Sequence, residues 1–302
     1  MFFIKSLCTF AVLLVEEMMM KKAITFVCTA LVCLGLAAQG KVNTRKYVLS
    51  DFTDKITQVV LTGNEVLDSG LRQEIVNYWT SSPYEFCTQA EFEERKTQDL
   101  YYFLIPAESR FKGEEDPGVL FLTLVKGGPE AAEGIKEMHE IISLPLMAAT
   151  GGNGRELVFL GAIVQSIQEF TMDAMLSEKT AYSMDAWFNR NYAKEGKMKQ
   201  IYLAKEDLSE KLSDKDLQRY LDADIHLCAE AEADAAFTQR AYHTLVSYTV
   251  APFLPQNGAS YCYKMLFDAE SARLFYIHKH KITEKSGVGF TAEDLKRIAR
   301  KR

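Results

Sequence analysis

The stretches CTQAEFEERKTQDLYYFLI, residues 87–105, and CAEAEADAAFTQRAYHTLV, residues 228–246, align without a gap 141 positions apart. Seven of the nineteen aligned positions are identical, among them Cys87 with Cys228, and the similarity continues upstream at the same shift. A constant shift over this length indicates a tandem duplication, so the repeat predicts the architecture.

Each copy shows the same succession of strand and helix patterns. In the first copy the β-branched run ITQVVLT predicts a strand, and apolar residues at helical spacing then predict a helix that ends at SSP. Thr88 with Glu91 forms a capping-box pattern before the next helix, and Ser213 with Asp216 is a looser version in the second copy. The pattern predicts an α/β fold with an α+β tendency, in which two tandem β-α-β-α-β-β repeats with mixed sheets are separated by a helical insert.

The predicted domains are a first repeat at 41–128, a methionine-rich helical insert at 129–198 and a second repeat at 199–302. Ser143 and Pro145 are interpreted as interruptions of a first helical segment of the insert.

The second helical segment of the insert, ELVFLGAIVQSIQEFTMDAML, begins at Glu156 and is apolar nearly all round. Such a helix is expected to be buried, either in the core or against a partner. Because methionine adapts well to binding surfaces, Phe170, Met172 and Met175 are candidate partner-binding residues. The alternative is that the insert helices only cover the sheets.

Residues 1–40 have the pattern of a secretory signal. Lys21 and Lys22 precede an apolar run that ends in AAQG, and cleavage is expected near Ala38 or Gly40. The run Met18–Met20 directly before the lysines is the expected true start of translation. Each apolar run is shorter than the ~18 residues of a membrane-spanning helix, so we expect an exported protein, periplasmic or secreted, and not an integral membrane protein.

The charge balance argues against one class of partner. The chain has 35 Lys and Arg against 41 Asp and Glu, a formal net charge of −6 at pH 7. Nonspecific nucleic-acid binding depends on a basic face, so we expect no nucleic-acid partner.

Three cysteines follow the signal region, Cys87, Cys228 and Cys262. Cys87 and Cys228 end equivalent predicted strands, and a disulfide between them is possible only where the two copies meet.

His278 and His280 form an H-x-H pattern on a predicted strand, which places both imidazoles on one face. Together with Cys262 on the facing strand they form a candidate zinc or copper site, provided that a bulge shifts the register. The alternative is a solvated edge strand, since the lysines at 279 and 281 are typical of such edges.

Two further segments carry a resemblance. PYEFCTQAEFEERK, residues 83–96, and FYIHKHKITEKSGVGFTAEDLKRI, residues 275–298, resemble segments of an uncharacterised family of exported bacterial proteins. The order of elements is also similar to the small α/β accessory domain at the N-terminus of periplasmic TolB-like proteins. The resemblance implies an exported α/β protein and assigns no functional residue.

No nucleophile-elbow or zinc-protease motif occurs, and no cofactor is indicated. The favoured hypothesis is an exported, non-catalytic protein that binds another envelope or secreted protein, of unspecified oligomeric state. The alternative is a small-ligand or metal-binding protein, with its site between the two repeats or at the histidine hairpin.

Overall fold

The strands form two mixed sheets in the computed structural model, which describes residues 41–42, 49–221 and 224–299. The predicted signal region therefore lies outside the described residues. The first sheet has the order β1-β6-β5-β4-β2-β3 and contains β1 (Lys41–Val42), β2 (Ile56–Val60), β3 (Tyr84–Cys87), β4 (Tyr101–Ser109), β5 (Val119–Lys126) and β6 (His139–Ala148). The second has the order β11-β10-β9-β7-β8 and contains β7 (Gln200–Ala204), β8 (Ile225–Cys228), β9 (Thr244–Val250), β10 (Tyr261–Asp268) and β11 (Leu274–Lys281).

Helices connect and cover the sheets. They are α1 (Glu65–Tyr78), α2 (Gln89–Arg95), α3 (Arg155–Leu176), α4 (Glu178–Ala181), α5 (Met184–Lys194), α6 (Asp214–Tyr220), α7 (Glu230–Thr238) and α8 (Ala292–Ile298). β2 pairs in parallel with β3 and β4, and β7 pairs in parallel with β8 and β9. The strands that follow in each repeat, β5 and β6 or β10 and β11, pair antiparallel, and the short β1 pairs in parallel with β6. The strand orders β6-β5-β4-β2-β3 and β11-β10-β9-β7-β8 match element by element, as the predicted duplication requires.

The two copies differ by a short insertion that the ungapped sequence match hides. According to the strand pairing, Tyr84 in the first copy is equivalent to Ile225 in the second, which lies 141 residues later. The same comparison makes Tyr102 equivalent to Leu245, which lies 143 residues later. The helix between these positions has seven residues in the first copy and nine in the second. The longer helix α7 therefore absorbs the two extra residues.

The first repeat extends beyond its predicted boundary at residue 128. Residues 139–148, interpreted from the sequence as helical, form strand β6, which pairs antiparallel with β5. Pro145 lies next to a register shift, where a strand tolerates the missing amide donor. The α-helical part of the predicted insert is accordingly restricted to the elements from α3 to α5.

Helix α3 is buried along most of its length, as its composition predicts, and it packs closely on α1. Two glycines allow this approach: a Cβ atom at Gly161 would lie 2.3 Å from the carboxylate of Glu74, and one at Gly70 would lie 3.0 Å from Leu157. Among the helices that the structure describes, α3 included, none is long and apolar enough to cross a membrane.

The two repeats contact α3 through helices that are not equivalent. In the first repeat α1 packs on α3, while Phe92 of α2 packs on Phe103 at the opposite face of the sheet. In the second repeat α7 packs on α3, with Phe237 against Phe159. The counterpart of α1, helix α6, packs instead on a separate core at the far face of its sheet. The two repeats therefore contact α3 through opposite sheet faces.

Helix α5 covers the edge strand β11. The side-chain amide of Asn189 donates to the carbonyl of Ile277 at 3.0 Å and accepts from its N–H at 2.9 Å. Asn191 donates to the carbonyl of Leu274 at 3.2 Å. These bonds satisfy main-chain groups that an open edge would present to other strands.

Candidate functional site

The candidate metal ligands lie on the face of the second sheet that is turned away from α3. A register shift in the β10–β11 hairpin places Cys262 directly opposite His280, the arrangement that a metal site would need. Both imidazole nitrogens of His280 nevertheless have other partners, the ammonium of Lys264 and the carbonyl of Gly287. Nδ1 of His278 lies 2.6 Å from the carboxylate of Asp294.

The described ranges 49–221 and 224–299 contain no group of three or more His, Cys, Asp or Glu side chains that could hold a metal ion. The metal prediction for His278 and His280 therefore finds no support there. The H-x-H pattern suggested a metal site because it places two imidazoles on one face. The pattern does not show that groups from other segments already bind both rings.

Lys264 and Asp294 form a fully buried ion pair beneath the C-terminal segment, with Nζ and Oδ2 3.3 Å apart. Asp294 also accepts from the hydroxyls of Tyr276 and Thr291 at 3.1 and 2.7 Å. Burial tends to raise the pKa of Asp294, but the hydrogen bond from His278 and the charge of Lys264 outweigh it and hold the pKa well below the usual range. This network fastens α8 to the sheet.

Acidification is expected to weaken this network through His280. Burial, and then the charge of Lys264, lower the pKa of His280 in the folded protein. The unfolded chain binds a proton at about pH 6.5 while the folded imidazole stays neutral, so the free energy of unfolding should decrease as the pH falls from there toward the lowered pKa. Urea unfolding at a series of pH values measures this decrease.

The matched variant is His280→Gln, whose amide retains one donor and one acceptor but does not titrate. His280→Gln should make the free energy of unfolding less dependent on pH over that range. Identical profiles for the wild type and the variant would show that another group is responsible.

The predicted disulfide between Cys87 and Cys228 is not formed. Both thiols are free and buried, each at the end of the outermost strand of its own sheet. Burial raises the pKa of each thiol to about 11. Cys228 belongs to the core that contains α3, whereas Cys87 does not, so the two thiols lie in different parts of the molecule.

The predicted partner-binding residues separate into different environments. Phe170 is wholly buried and packs against Trp187 and Phe188, so it belongs to the core and not to a binding surface. Met175 is partly buried against the same core, whereas Met172 is 37% exposed. The helical period alone could not distinguish these positions, because nearly every face of α3 is apolar.

A second buried ion network attaches α3 to the second repeat. The guanidinium of Arg155 lies 3.0 Å from the Asp207 carboxylate, 2.9 Å from Asp234 and 3.4 Å from Glu230. It also donates to the carbonyl of Ser247 at 3.0 Å. Arg155 is the first residue of α3, and no local pattern predicts carboxylates so distant in the sequence.

The pocket between the repeats is a cavity of about 140 Å³ that both repeats and α5 line. We name this cavity the inter-repeat pocket. Its apolar lining consists of Phe111, Phe121, Pro145, Met184 and Ile277. Its polar lining consists of Ser109, Glu140, Ser143, Asp185, Tyr263 and Lys279.

One wall of the inter-repeat pocket carries an unpaired hydroxyl. Ser109 is 1% exposed, and its Oγ forms no hydrogen bond with any residue that the structure describes. Buried polar groups are nearly always hydrogen-bonded, and an unsatisfied one costs about 1–3 kcal/mol. Ser143, by contrast, is paired with Thr123 through their hydroxyls at 2.9 Å.

Carboxylates predominate around the pocket. Burial raises the pKa of Tyr263, and the nearby negative charges of Asp185, Glu114 and Glu140 raise it further. The side chain of Asp185 is exposed, but partial desolvation raises its pKa, and the charge of Lys279 opposes the shift. The ammonium of Lys279 lies 5.7 Å from the ring centroid of Tyr261.

The sequence suggested a site between the repeats as one alternative, but it did not identify the residues that line it. Ser109, Asp185 and Tyr263 belong to three separate segments and match no motif. Only the packing of the two sheets brings them together. Comparison with protein-family models, with curated proteins and with solved structures finds no match to this chain.

Proposed function

We propose that this protein binds a small molecule in the inter-repeat pocket. The observation that carries the proposal is a cavity of about 140 Å³ with the unpaired hydroxyl of Ser109 in its wall. Binding sites commonly combine an apolar lining with a few polar groups that orient the ligand, and they often lie between structural units. The pocket has this composition.

The walls of the pocket are suited to hold a ligand in one position. Aromatic contacts join the repeats beside it: the rings of Phe121 and Tyr263 lie 5.4 Å apart, and those of Phe111 and Tyr261 lie 4.8 Å apart. Because both repeats contribute, a ligand that binds only the folded protein would stabilise their junction and raise the free energy of unfolding by RT ln(1 + [L]/Kd).

Replacing Ser109 by alanine tests the role of the unpaired hydroxyl. If the hydroxyl of Ser109 were important only for the fold, its removal would lower the free energy of unfolding. Because the hydroxyl is buried and unsatisfied, we expect its removal to leave the free energy of unfolding unchanged or to raise it by about 1 kcal/mol. The same change should weaken binding in the pocket. Urea unfolding measures the first effect, and ligand titration measures the second.

Ser81→Ala is the matched control. The Ser81 hydroxyl is also buried and unpaired among the described residues, but Ser81 does not line the pocket. Ser81→Ala should change the free energy of unfolding as Ser109→Ala does, but it should leave ligand binding in the pocket intact. If Ser109→Ala instead destabilises the protein and leaves binding intact, the proposed role is wrong.

A direct binding test uses ligand-observed NMR with neutral, cationic and anionic compounds of benzene size. At least one compound should bind once per chain, and Met184→Trp, which fills the pocket with an indole ring, should abolish that binding. Met198→Trp is the control, because Met198 is exposed and does not line the pocket. The absence of binding by every compound, or binding that Met184→Trp leaves unchanged, would overturn the proposal.

A second candidate function is binding of another envelope or secreted protein through the C-terminal end of α3. The observation that favours it is the exposure of Met172 and Leu176, 37% and 77%, one helical turn apart. Loss of a captured partner on Met172→Glu, but not on Val76→Glu at an exposed site of α1, would support this function. Export is a separate proposal, based on residues 1–40 and on the resemblance to exported proteins.

A further inference from the structure

We propose that the inter-repeat pocket selects an uncharged compound of benzene size that carries a hydrogen-bond acceptor, such as a cyclic ketone. This inference rests on the proposed binding function and specifies the chemical class of the ligand.

The charged groups of the lining are the first argument. Glu140 already interacts with another group of the chain, so its carboxylate is not free for a ligand. Asp185 and Lys279 are both exposed, and the charge of Lys279 acts on Asp185. These two opposite charges balance each other. A charged ligand would therefore give up its hydration in the pocket without gaining a free counter-charge, and that loss is costly.

Two hydroxyls are the second argument. Ser109 is 1% exposed, and its Oγ is unpaired among the described residues. Tyr263 is 6% exposed, and its hydroxyl likewise forms no hydrogen bond with any residue that the structure describes. Burial raises the pKa of Tyr263, so the phenol keeps its proton and can donate it to a ligand in a hydrogen bond. Both side chains line the pocket, so an acceptor oxygen on the ligand would pair with hydroxyls that the chain leaves unpaired.

The apolar lining and the volume are the third argument. Phe111, Phe121 and Ile277 provide apolar surface against which a ring can pack. A cavity of roughly 150 Å³ holds one benzene-sized molecule, and this pocket is about 140 Å³. A six-membered ring with one oxygen fits these limits, whereas a nucleotide is too large.

The experiment compares four probes that share a six-membered ring by NMR titration: cyclohexanone, methylenecyclohexane, cyclohexylammonium and cyclohexanecarboxylate. We expect cyclohexanone to bind at least about tenfold more tightly than either charged probe, because each charged probe loses hydration that the lining does not replace. Methylenecyclohexane has the shape of cyclohexanone but no acceptor oxygen, so it serves as the reference for the hydrogen bonds.

Ser109→Ala and Tyr263→Phe test the two hydroxyls. Each variant should reduce cyclohexanone affinity about fivefold, the effect of one lost hydrogen bond, and should change methylenecyclohexane affinity by less than about twofold. Ser143→Ala is the matched control, because Ser143 lines the same pocket but its hydroxyl is already paired with that of Thr123. This variant should change cyclohexanone affinity by less than about twofold.

The possible failures are distinguishable. If a charged probe binds as tightly as cyclohexanone and Met184→Trp abolishes that binding, the inference is wrong and the binding function stands. If cyclohexanone binds but neither Ser109→Ala nor Tyr263→Phe weakens its binding, the acceptor is not recognised, so the inference is again wrong and the binding function stands. If none of the four probes binds, the inference is wrong, and the wider set of compounds then decides the binding function.

Discussion

Replacing Asp294 by alanine should lower the free energy of unfolding by about 3–5 kcal/mol, because it leaves the charge of Lys264 buried without its partner. Both side chains of this pair are fully buried. Burial already lowers the pKa of Lys264, and the charge of Asp294 opposes that shift. Urea unfolding at neutral pH measures the loss.

Two variants separate the ion pair from the helix cap that Asp294 also forms. Asp216 occupies the same capping-box position in α6 but has no buried lysine partner, so Asp216→Ala should cause only the small loss of a cap. The double variant Lys264→Met with Asp294→Asn removes both charges and should be more stable than Asp294→Ala alone. Equal losses for Asp294→Ala and Asp216→Ala would contradict the argument.

Replacing Arg155 by methionine should destabilise the protein by a similar amount, about 3–5 kcal/mol, because the carboxylates around it lose their shared cation. Asp207 is almost wholly buried and Asp234 is largely buried, so water cannot replace the guanidinium fully. Methionine retains much of the apolar part of the arginine side chain. The variant therefore differs from the wild type mainly in the charge of Arg155 and its hydrogen bonds. The free energy of unfolding in urea is again the measurement.

The matched control is Arg273→Met, since Arg273 pairs with Glu169 at 3.0 Å while both side chains are partly exposed. Exposed ion pairs contribute about 0–1 kcal/mol, so this loss should be small. The Arg155→Met loss should also shrink in mild acid, where burial allows Asp234 and Glu230 to take up protons, because burial raises the pKa of each in the presence of Arg155. If Arg155→Met and Arg273→Met lower the free energy of unfolding equally, the buried network of Arg155 contributes no more to stability than an exposed ion pair.

The features that sequence analysis predicts correctly are those determined by neighbouring residues. The cap of α2 is one case: Thr88 and Glu91 form the predicted capping box, with the Thr88 N–H donating to Glu91 at 2.7 Å. The cap of α6 by Ser213 and Asp216 is another. The mixed sheet of each copy also follows, because the repeat makes each copy evidence for the other.

The features that the sequence misses depend on contacts between distant residues. Residues 139–148 contain Pro145, which suggests a broken helix until their pairing with β5 is known. His278 appears available for a metal because its partner Asp294 belongs to a segment that folds back over the strand. The inter-repeat pocket depends on how two sheets pack, and no single segment encodes that geometry.

The use of opposite sheet faces has a consequence for the origin of the duplication. A symmetric pair of identical units joins through the same surface on each partner, whereas here the α1 side of one unit and the α7 side of the other contact α3. Contacts between unlike surfaces are heterologous, and they propagate unless the geometry closes. Two separate copies of one ancestral unit with this junction would therefore form a ring or an open chain and not a twofold-symmetric pair.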